Sequence, residues 1–221
     1  MAPGPGDASA SLRISVVTFA PDADVLARTL ASCAAAIGRA QAEGALGAAD
    51  LVIVDNGPDA RAGASVDAVA DAFRRDAANV PVRVLRGHGN VGYGAGHNLA
   101  LRDASTRFHL VLNPDVVMAS DALAEAARFM AGRPDVALLA PRVTGEDGEL
   151  QYLCKRYPSP LVLALRGFAP RAVRTLFDGA LARYEMRDAI GDEAVVDDVP
   201  IASGAFMFCR TSALFAVGGF D

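Results

Sequence analysis

Short apolar segments alternate with longer segments of helical periodicity between residues 12 and 140. The apolar segments are rich in β-branched residues and end near Pro, Asn, Asp or Gly, which is typical of buried strands. Strands are predicted over Leu12–Phe19, Leu51–Val54, Val82–Leu85, Phe108–Leu112 and Val136–Ala140. Helices are predicted over Pro21–Glu43, Val66–Phe73, the second half of Asn90–Asp103 and Asp121–Met130, with Ser120 as the N-cap of the last helix.

This alternation predicts an α/β fold with an open, mostly parallel sheet and helices on both faces. The rhythm changes after Pro141: residues 144–149 read as a hairpin turn, Leu161–Tyr184 as helical, and Val195–Met207 as strand-like. Residues 1–11 are small and polar and are expected to form a disordered tail. Residues 12–221 are expected to form one domain.

Composition narrows the class of protein. Apolar residues make up 52% and charged residues 21% of the 221-residue chain, which indicates a globular protein. A net charge of −5 argues against a nucleic-acid-binding protein. Three scattered cysteines without a C-x-x-C pair indicate reduced thiols and a cytoplasmic location. No segment reaches the roughly 18 apolar residues that span a bilayer, which leaves open a peripheral contact with the inner face of the membrane.

Polar residues follow the predicted strands at the edge where ligands bind in open α/β sheets. The first strand ends at Thr18-Phe19, the second at Asp55-Asn56-Gly57, and the fourth at Asn113-Pro114-Asp115. Each group alone is compatible with an ordinary turn, because Asp, Asn and Gly favour turns. Together they predict a crevice that binds a nucleotide.

A glycine-rich segment after the third strand matches G-x-G-x-x-G over residues 87–92. This pattern usually follows the first strand of a dinucleotide-binding unit and is followed by an acidic residue about 20 positions on. Neither condition holds here, and further glycines follow at 94 and 96. A nicotinamide- or flavin-binding site is therefore disfavoured, and a P-loop is excluded because the chain has no G-x-x-x-x-G-K-[ST].

Four groups of segments, in order, resemble family 2 glycosyltransferases, particularly rhamnosyltransferase-like members. They are ISVVTF at 14–19, VDNG at 54–57, NVGYGAGHN at 90–98 with LNPDV at 112–116, and SGAFMF at 203–208 with GGFD at 218–221. The resemblance implies a GT-A type sheet and transfer of a sugar from a nucleotide-diphospho-sugar, with inversion, to a cell-envelope glycan or lipid-linked acceptor. Rhamnose is one sugar that it suggests.

The resemblance also implies roles for individual residues. Asp115 would bind a divalent cation, Mg²⁺ or Mn²⁺, since Asn113-Pro114-Asp115 resembles the family's D-x-D motif with Asn in place of the first Asp. Ser203 and Gly204 would lie on the acceptor side, although a tight turn explains them nearly as well. The donor would be bound by Thr18, Phe19, Asp55, Asn56, Asn90, Gly92, Asn98, Asn113 and Asp115.

The catalytic base remains unidentified in the sequence. In the resembling family it belongs to an E-D pair shortly after the Gly-Gly-Phe-Asp segment, which here ends at Asp221. Either the chain is a shortened one, which we expect, or Asp221 substitutes for the base. Two alternatives stay open: a sugar-nucleotide-binding module that lacks catalysis, and a nucleotidyltransferase. The sequence indicates no oligomeric state.

Overall fold

A computed structural model of the protein describes residues 10–145, 147–191 and 195–221. The chain divides into two compact units. One comprises the residues up to Leu139 together with Gly204–Asp221, and the other comprises Ala140–Ser203. Most of the predicted tail lies outside the described residues. Its last two residues belong to the fold, because Ala10 is buried and the Ser11 carbonyl accepts a hydrogen bond from the Phe108 amide (2.9 Å).

The predicted elements recur in the structure, with the predicted bounds for β3 and β4 and shifted bounds for the others. The strands are β1 (Leu12–Thr18), β2 (Ala49–Asp55), β3 (Val82–Leu85), β4 (Phe108–Leu112), β5 (Leu138–Leu139), β6 (Val143–Thr144), β7 (Leu150–Gln151), β8 (Cys154–Lys155), β9 (Ile201–Ala202) and β10 (Phe206–Arg210). The helices are α1 (Ala23–Ala42), α2 (Ala60–Asp76), α3 (Tyr93–Leu101), α4 (Ala122–Gly132), α5 (Pro160–Phe168), α6 (Arg171–Leu176), α7 (Asp178–Tyr184) and α8 (Thr211–Val217).

The first unit contains a six-stranded sheet in the order β3-β2-β1-β4-β10-β5. β1 pairs in parallel with β2 and β4, and β2 pairs in parallel with β3. β10 runs antiparallel to both of its neighbours. The sheet is thus mostly parallel, as predicted, and the carboxyl ends of β1, β2 and β4 lie side by side.

Residue alternation along β1 explains why both faces of the sheet are covered. Leu12, Ile14 and Val16 lie in the main core, which α1, α2 and α4 complete on one face. Val17 belongs to a smaller apolar cluster with Ala100 of α3. Because successive strand residues point to opposite faces, α3 lies on the second face of the sheet. The prediction of helices on both faces is confirmed.

The start of α4 corrects one detail of the sequence interpretation. The helix is preceded by Asp121 at the N-cap position, with no side-chain capping bond, so the predicted cap at Ser120 is wrong. The Ser120 hydroxyl instead accepts a hydrogen bond from Arg39 of α1 (3.0 Å). A competing guanidinium partner therefore takes the oxygen that would otherwise cap the helix.

The second unit, Ala140–Ser203, combines two small antiparallel ladders with three short helices. β6 pairs with β7 around the predicted turn, of which Glu146 lies outside the described residues, and β8 pairs with β9. The predicted helical segment Leu161–Tyr184 is divided into α5, α6 and α7. Val162, Leu165 and Leu181 form its small buried core. Within residues 10–145, 147–191 and 195–221, no helix is both long and apolar enough to cross a membrane.

Candidate functional site

The ends of β1 and β2 bring Thr18, Asp55 and Asn56 together. Thr18 and Asp55 are paired in the sheet, and the Asn56 amide donates to the Thr18 carbonyl (2.9 Å). All three side chains are buried. The Thr18 Oγ1 and Asn56 Oδ1 atoms have no hydrogen-bond partner in the part of the chain that the structure describes. Buried polar atoms are normally hydrogen-bonded, so two unpartnered oxygens at adjacent strand ends indicate a place where a ligand donates hydrogen bonds.

A cleft of about 520 Å³ opens beside Asp55. Its walls come from the start of α2 and from the loop after β3, including Gly57, Gly63, Arg86 and Gly89. One Asp55 oxygen accepts from the Gly57 amide (2.9 Å), and the other lies 3.3 Å from the Arg86 guanidinium. A carboxylate held in this way keeps further lone pairs for hydroxyl or N–H donors. The cleft therefore has the size and polarity for a nucleoside.

Arg86 is a cleft residue that the sequence interpretation did not select. It also binds Asp67 of α2 through two hydrogen bonds (2.8 and 3.0 Å). That guanidinium hydrogen bond lowers the pKa of Asp67. The position of Arg86 directly after β3, at the same sheet edge as Asp55, is the signal that could have identified it.

The glycine-rich loop reaches the strand ends through backbone contacts. The side-chain nitrogen of Asn56 donates to the Gly92 carbonyl (3.0 Å), and the Asn90 side chain accepts from the backbone amide of Gly92 (3.0 Å). Gly92 has a φ of +86°, a conformation that strains residues with a side chain. The structure thus places Asn90 and Gly92 next to Asn56, in agreement with their predicted grouping, while a contact with the donor stays a prediction.

Tyr93, at the first position of α3, connects two predicted site segments. Its hydroxyl lies 2.9 Å from the Asn113 Oδ1 atom and 2.6 Å from the Gly204 carbonyl. Burial is the main cause that raises the pKa of Tyr93, and the charge of Asp115 raises it further. The phenol therefore stays protonated and can donate one hydrogen bond at a time. A Cβ added at Gly204 would lie 2.9 Å from the Tyr93 ring, which explains why glycine is needed there.

The segment Asn113–Asp115 is held by α1 and by Ala205, just before β10. The Thr29 hydroxyl of α1 donates to the Pro114 carbonyl (2.9 Å), and the Asn113 amide donates to the Ala205 carbonyl (2.9 Å). Further along the loop, Ser32 of α1 accepts from the Met118 amide (3.1 Å). These anchors fix the backbone while the Asp115 side chain remains exposed.

The oxygen ligands that this loop offers suit a cation that takes only some of its ligands from the protein. Among the described residues, no group of three or more His, Cys, Asp or Glu is arranged to hold a metal. Asp115 offers one exposed carboxylate, and the Asn113 amide oxygen faces Tyr93. Mg²⁺ in particular is often bound by one or two carboxylates with substrate phosphates as the remaining ligands. A metal at Asp115 would therefore need a phosphate-bearing ligand to complete its coordination.

Asn98 makes contacts different from those that the resemblance suggested. Its amide nitrogen donates to the Phe220 carbonyl (2.6 Å), and its oxygen accepts from the Phe220 amide (2.9 Å). A Cβ at Gly94, on the same helix, would lie 2.9 Å from the Asp221 carbonyl oxygen. In this structure, Asn98 holds the Gly218–Asp221 segment against α3, and its predicted donor contact stays a prediction.

His97 of α3 is buried and takes part in a hydrogen-bonded cluster. Ser15 Oγ lies 2.8 Å from His97 Nδ1 and 2.8 Å from His109 Nε2, which joins α3, β1 and β4 beneath the site. Burial lowers the pKa of His97 to about 3 and that of His109 to about 4. Both imidazoles are therefore neutral near pH 7. The His97 ring also packs edge-on against Tyr93, with ring centroids 4.5 Å apart.

Two predicted site residues do not join this group of contacts. Phe19 is exposed just beyond the end of β1. Ser203 belongs to the second unit, where its amide donates to the Leu153 carbonyl (2.9 Å), while Gly204 belongs to the first. The acceptor-side roles of Ser203 and Gly204 stay predictions.

Similarity to solved structures is found across the chain. A mannosyltransferase from Pyrobaculum calidifontis, PcManGT, in complex with GDP-Man and Mn²⁺, is 19% identical with a TM-score of 0.56. TarS of S. aureus, residues 1–349, is 18% identical with a TM-score of 0.54. The chain is covered to 95% and 94%, but it spans 47% and 49% of those chains, about half their length.

These identities show a shared fold, that of GT-A-like glycosyltransferases. No curated protein matches the sequence closely. The family model described as glycosyl transferase family 2 matches residues 14–215, which include the ends of β1, β2 and β4 and the glycine-rich loop. This chain therefore belongs to glycosyl transferase family 2.

Proposed function

We propose that the chain binds a nucleotide-diphospho-sugar at the carboxyl ends of β1, β2 and β4 and takes part in sugar transfer with inversion. The observation that carries this proposal is the pair of buried, unpartnered oxygens on Thr18 and Asn56 beside Asp55. They lie at the sheet edge where α/β folds bind ligands. Family membership supports a sugar nucleotide over a dinucleotide as the ligand.

The nucleoside would occupy the cleft next to Asp55. The Asp55 carboxylate can accept from ribose hydroxyls or a base N–H, and Thr18 and Asn56 supply further acceptors. The planar guanidinium of Arg86 can stack on an aromatic base while it keeps its contacts with Asp67. This arrangement supplies hydrogen bonds and a stacking surface without a large movement of the backbone.

The diphosphate would then point toward the Asn113–Asp115 segment. Asp115 would hold Mg²⁺ or Mn²⁺ with the phosphate oxygens, and such an ion neutralises the charge of a diphosphate leaving group. The solved mannosyltransferase that contains GDP-Man and Mn²⁺ supports this use of a divalent ion. The Tyr93 hydroxyl orients the Asn113 amide beside that position.

The acceptor would be a cell-envelope glycan or a lipid-linked sugar at the cytoplasmic side of a membrane. Rhamnose from dTDP-rhamnose is the proposed donor sugar, and GDP-mannose and UDP-sugars are the donors to compare with it. Inversion needs a base that removes the acceptor's proton. We assign no described residue as this catalytic base.

Calorimetric titration with dTDP-rhamnose, GDP-mannose, UDP-sugars and NAD, each with and without Mn²⁺, tests donor binding. Asp55→Ala should weaken binding of the preferred sugar nucleotide about tenfold to a hundredfold, because a hydrogen bond to a charged group is lost. Asp115→Ala should abolish the Mn²⁺ dependence but leave residual binding. The matched control is Asp71→Ala, which removes an exposed carboxylate of α2 that is paired with Arg74. Absence of sugar-nucleotide binding by the folded wild type, or tighter binding of NAD, would contradict the proposal.

A further inference from the structure

The three helices of the second unit expose more large apolar side chains than they bury. Their small core contains Val162, Leu165 and Leu181. The exposed large apolar residues of this segment are Leu161, Leu163, Phe168, Val173, Leu176 and Phe177, with Phe168 at 90% and Leu176 at 82% exposure. Soluble surfaces usually scatter such residues singly, whereas a concentration of them marks an interaction site.

Five of the six exposed residues follow helical spacing and form two apolar stripes, one on α5 and one on α6; Leu163 lies on a different face of α5. Leu161 and Phe168 are seven positions apart on α5 and share one face. Val173 lies three positions before Leu176 and four before Phe177 at the end of α6, which places these three on one face as well. Since α5 packs on α7 through Val162 and Leu165, Leu161 and Phe168 are not part of that core and remain exposed.

The same segment is basic within an acidic protein. Residues 155–190 contain seven Lys or Arg and three Asp or Glu, whereas the whole chain carries a net charge of −5. Three acidic residues pair with Arg156, Arg166 and Arg187. Arg174 instead donates to the Leu165 and Ala169 carbonyls at the end of α5, so its positive charge adds to the local excess.

We propose that α5 and α6 dock this protein on an anionic lipid bilayer, with the apolar stripes inserted among the acyl chains near the headgroups. Short amphipathic helices with Phe and Leu on one side and Arg on the flanks bind in the plane of such a surface. Anionic lipids attract each nearby Lys or Arg and so add to the apolar contribution. None of the residues that line the cleft beside Asp55 belongs to this surface, so this inference does not depend on the proposed function.

Charge decides between a bilayer and a second copy of the chain as the occupant. A two-fold dimer through α5 and α6 would bring the same basic segment of both copies together. Like charges brought together at an interface disfavour association. An anionic bilayer instead complements both the apolar stripes and the basic excess.

Vesicle flotation tests the proposal with two lipid compositions, phosphatidylglycerol mixed with phosphatidylethanolamine, and phosphatidylcholine alone. We expect the wild type to float with the anionic vesicles only and to dissociate from them as salt is raised. Phe168→Ser/Leu176→Ser should weaken this binding about tenfold or more, since two large apolar side chains no longer leave water. Both residues are exposed, so the fold should be unaffected.

The matched control is Phe215→Ser/Val217→Ser, which removes two exposed apolar residues of α8 in the first unit. It should float like the wild type. The proposal is overturned if the wild type binds neither vesicle, binds neutral vesicles equally well, or loses no binding in the Phe168→Ser/Leu176→Ser variant. It is also overturned if light scattering shows a dimer that this variant dissociates, because the stripes would then be a self-association surface.

Discussion

Replacing Asn98 with alanine separates two roles for this residue. The resemblance assigns Asn98 to the donor site, whereas the structure shows both ends of its amide bonded to the backbone of Phe220. Asn98→Ala removes one donor and one acceptor and leaves the Phe220 amide and carbonyl without protein partners. Since Phe220 is partly exposed, water can replace part of what is lost.

The expected loss of local stability follows from the two hydrogen bonds between Asn98 and Phe220. Each contributes a net 0.5–1.5 kcal/mol, or roughly 1–3 kcal/mol together, when both partners are protein groups. The free energy for local opening of Gly218–Asp221 should fall by this amount, which is about a 5- to 150-fold loss of amide protection at Phe220. Hydrogen exchange followed by mass spectrometry or NMR measures it directly. The amides of β1 and β4 should keep their protection, because the sheet is not touched.

A matched control is Asn79→Ala, which removes a single exposed hydrogen bond to Gln41 (2.9 Å) and should leave Phe220 unchanged. The reasoning is refuted if Asn98→Ala leaves the exchange of the Phe220 amide as in the wild type. A loss of sugar-nucleotide affinity without any change in that exchange would instead support the donor-binding role that the sequence suggested.

Three further perturbations test the packing beneath and around the site. Gly204→Ala should lower the free energy of unfolding by about 1–3 kcal/mol through a clash with the Tyr93 ring, and adding Tyr93→Ala should remove that penalty in urea titrations. The folded-state pKa values of His97 (about 3) and His109 (about 4) lie below the ordinary value of 6.5, so the unfolded chain binds protons first as the pH falls. The free energy of unfolding should therefore decrease below pH 6.5. Imidazole NMR signals that titrate near pH 6.5 in the folded protein would contradict this. Arg13→Met should lower the free energy of unfolding by about 2 kcal/mol, because it leaves the largely buried Asp50 carboxylate without its guanidinium partner. The midpoint of urea unfolding measures this change, and an unchanged midpoint would refute the stabilising role of Arg13.

The sheet could be predicted because its strands are marked by local signals. β3 and β4 have the predicted bounds, since both are short apolar segments limited by turn residues. The segment Leu161–Tyr184 was harder to divide because its helix breaks, at Ala169-Pro170 and at Phe177, fall within a continuous apolar and basic pattern.

Some of the site residues could likewise be predicted from the sequence, and others could not. Thr18, Asp55 and Asn56 could be grouped from sequence because parallel strands place their carboxyl ends at one edge. The partnership of Asn98 with Phe220 could not, because it joins residues 122 positions apart and an asparagine carries no sign of its partner. Arg86 was missed for a related reason: an arginine after a strand is common on surfaces, and only the fold brings it to Asp55.

The position of β10 has a consequence for how this architecture can diversify. Residues 140–203 leave the sheet after β5 and return just before β10, and these two strands are neighbours, with Leu139 opposite Phe208. The inserted segment therefore begins and ends at two adjacent strands of one sheet. Such a segment can be lengthened, shortened or exchanged between homologous proteins while the six-stranded sheet keeps its register. Recombination at Ala140 and Gly204 is accordingly a rational route to chimaeras that retain the sheet of the first unit and acquire the surface of another second unit.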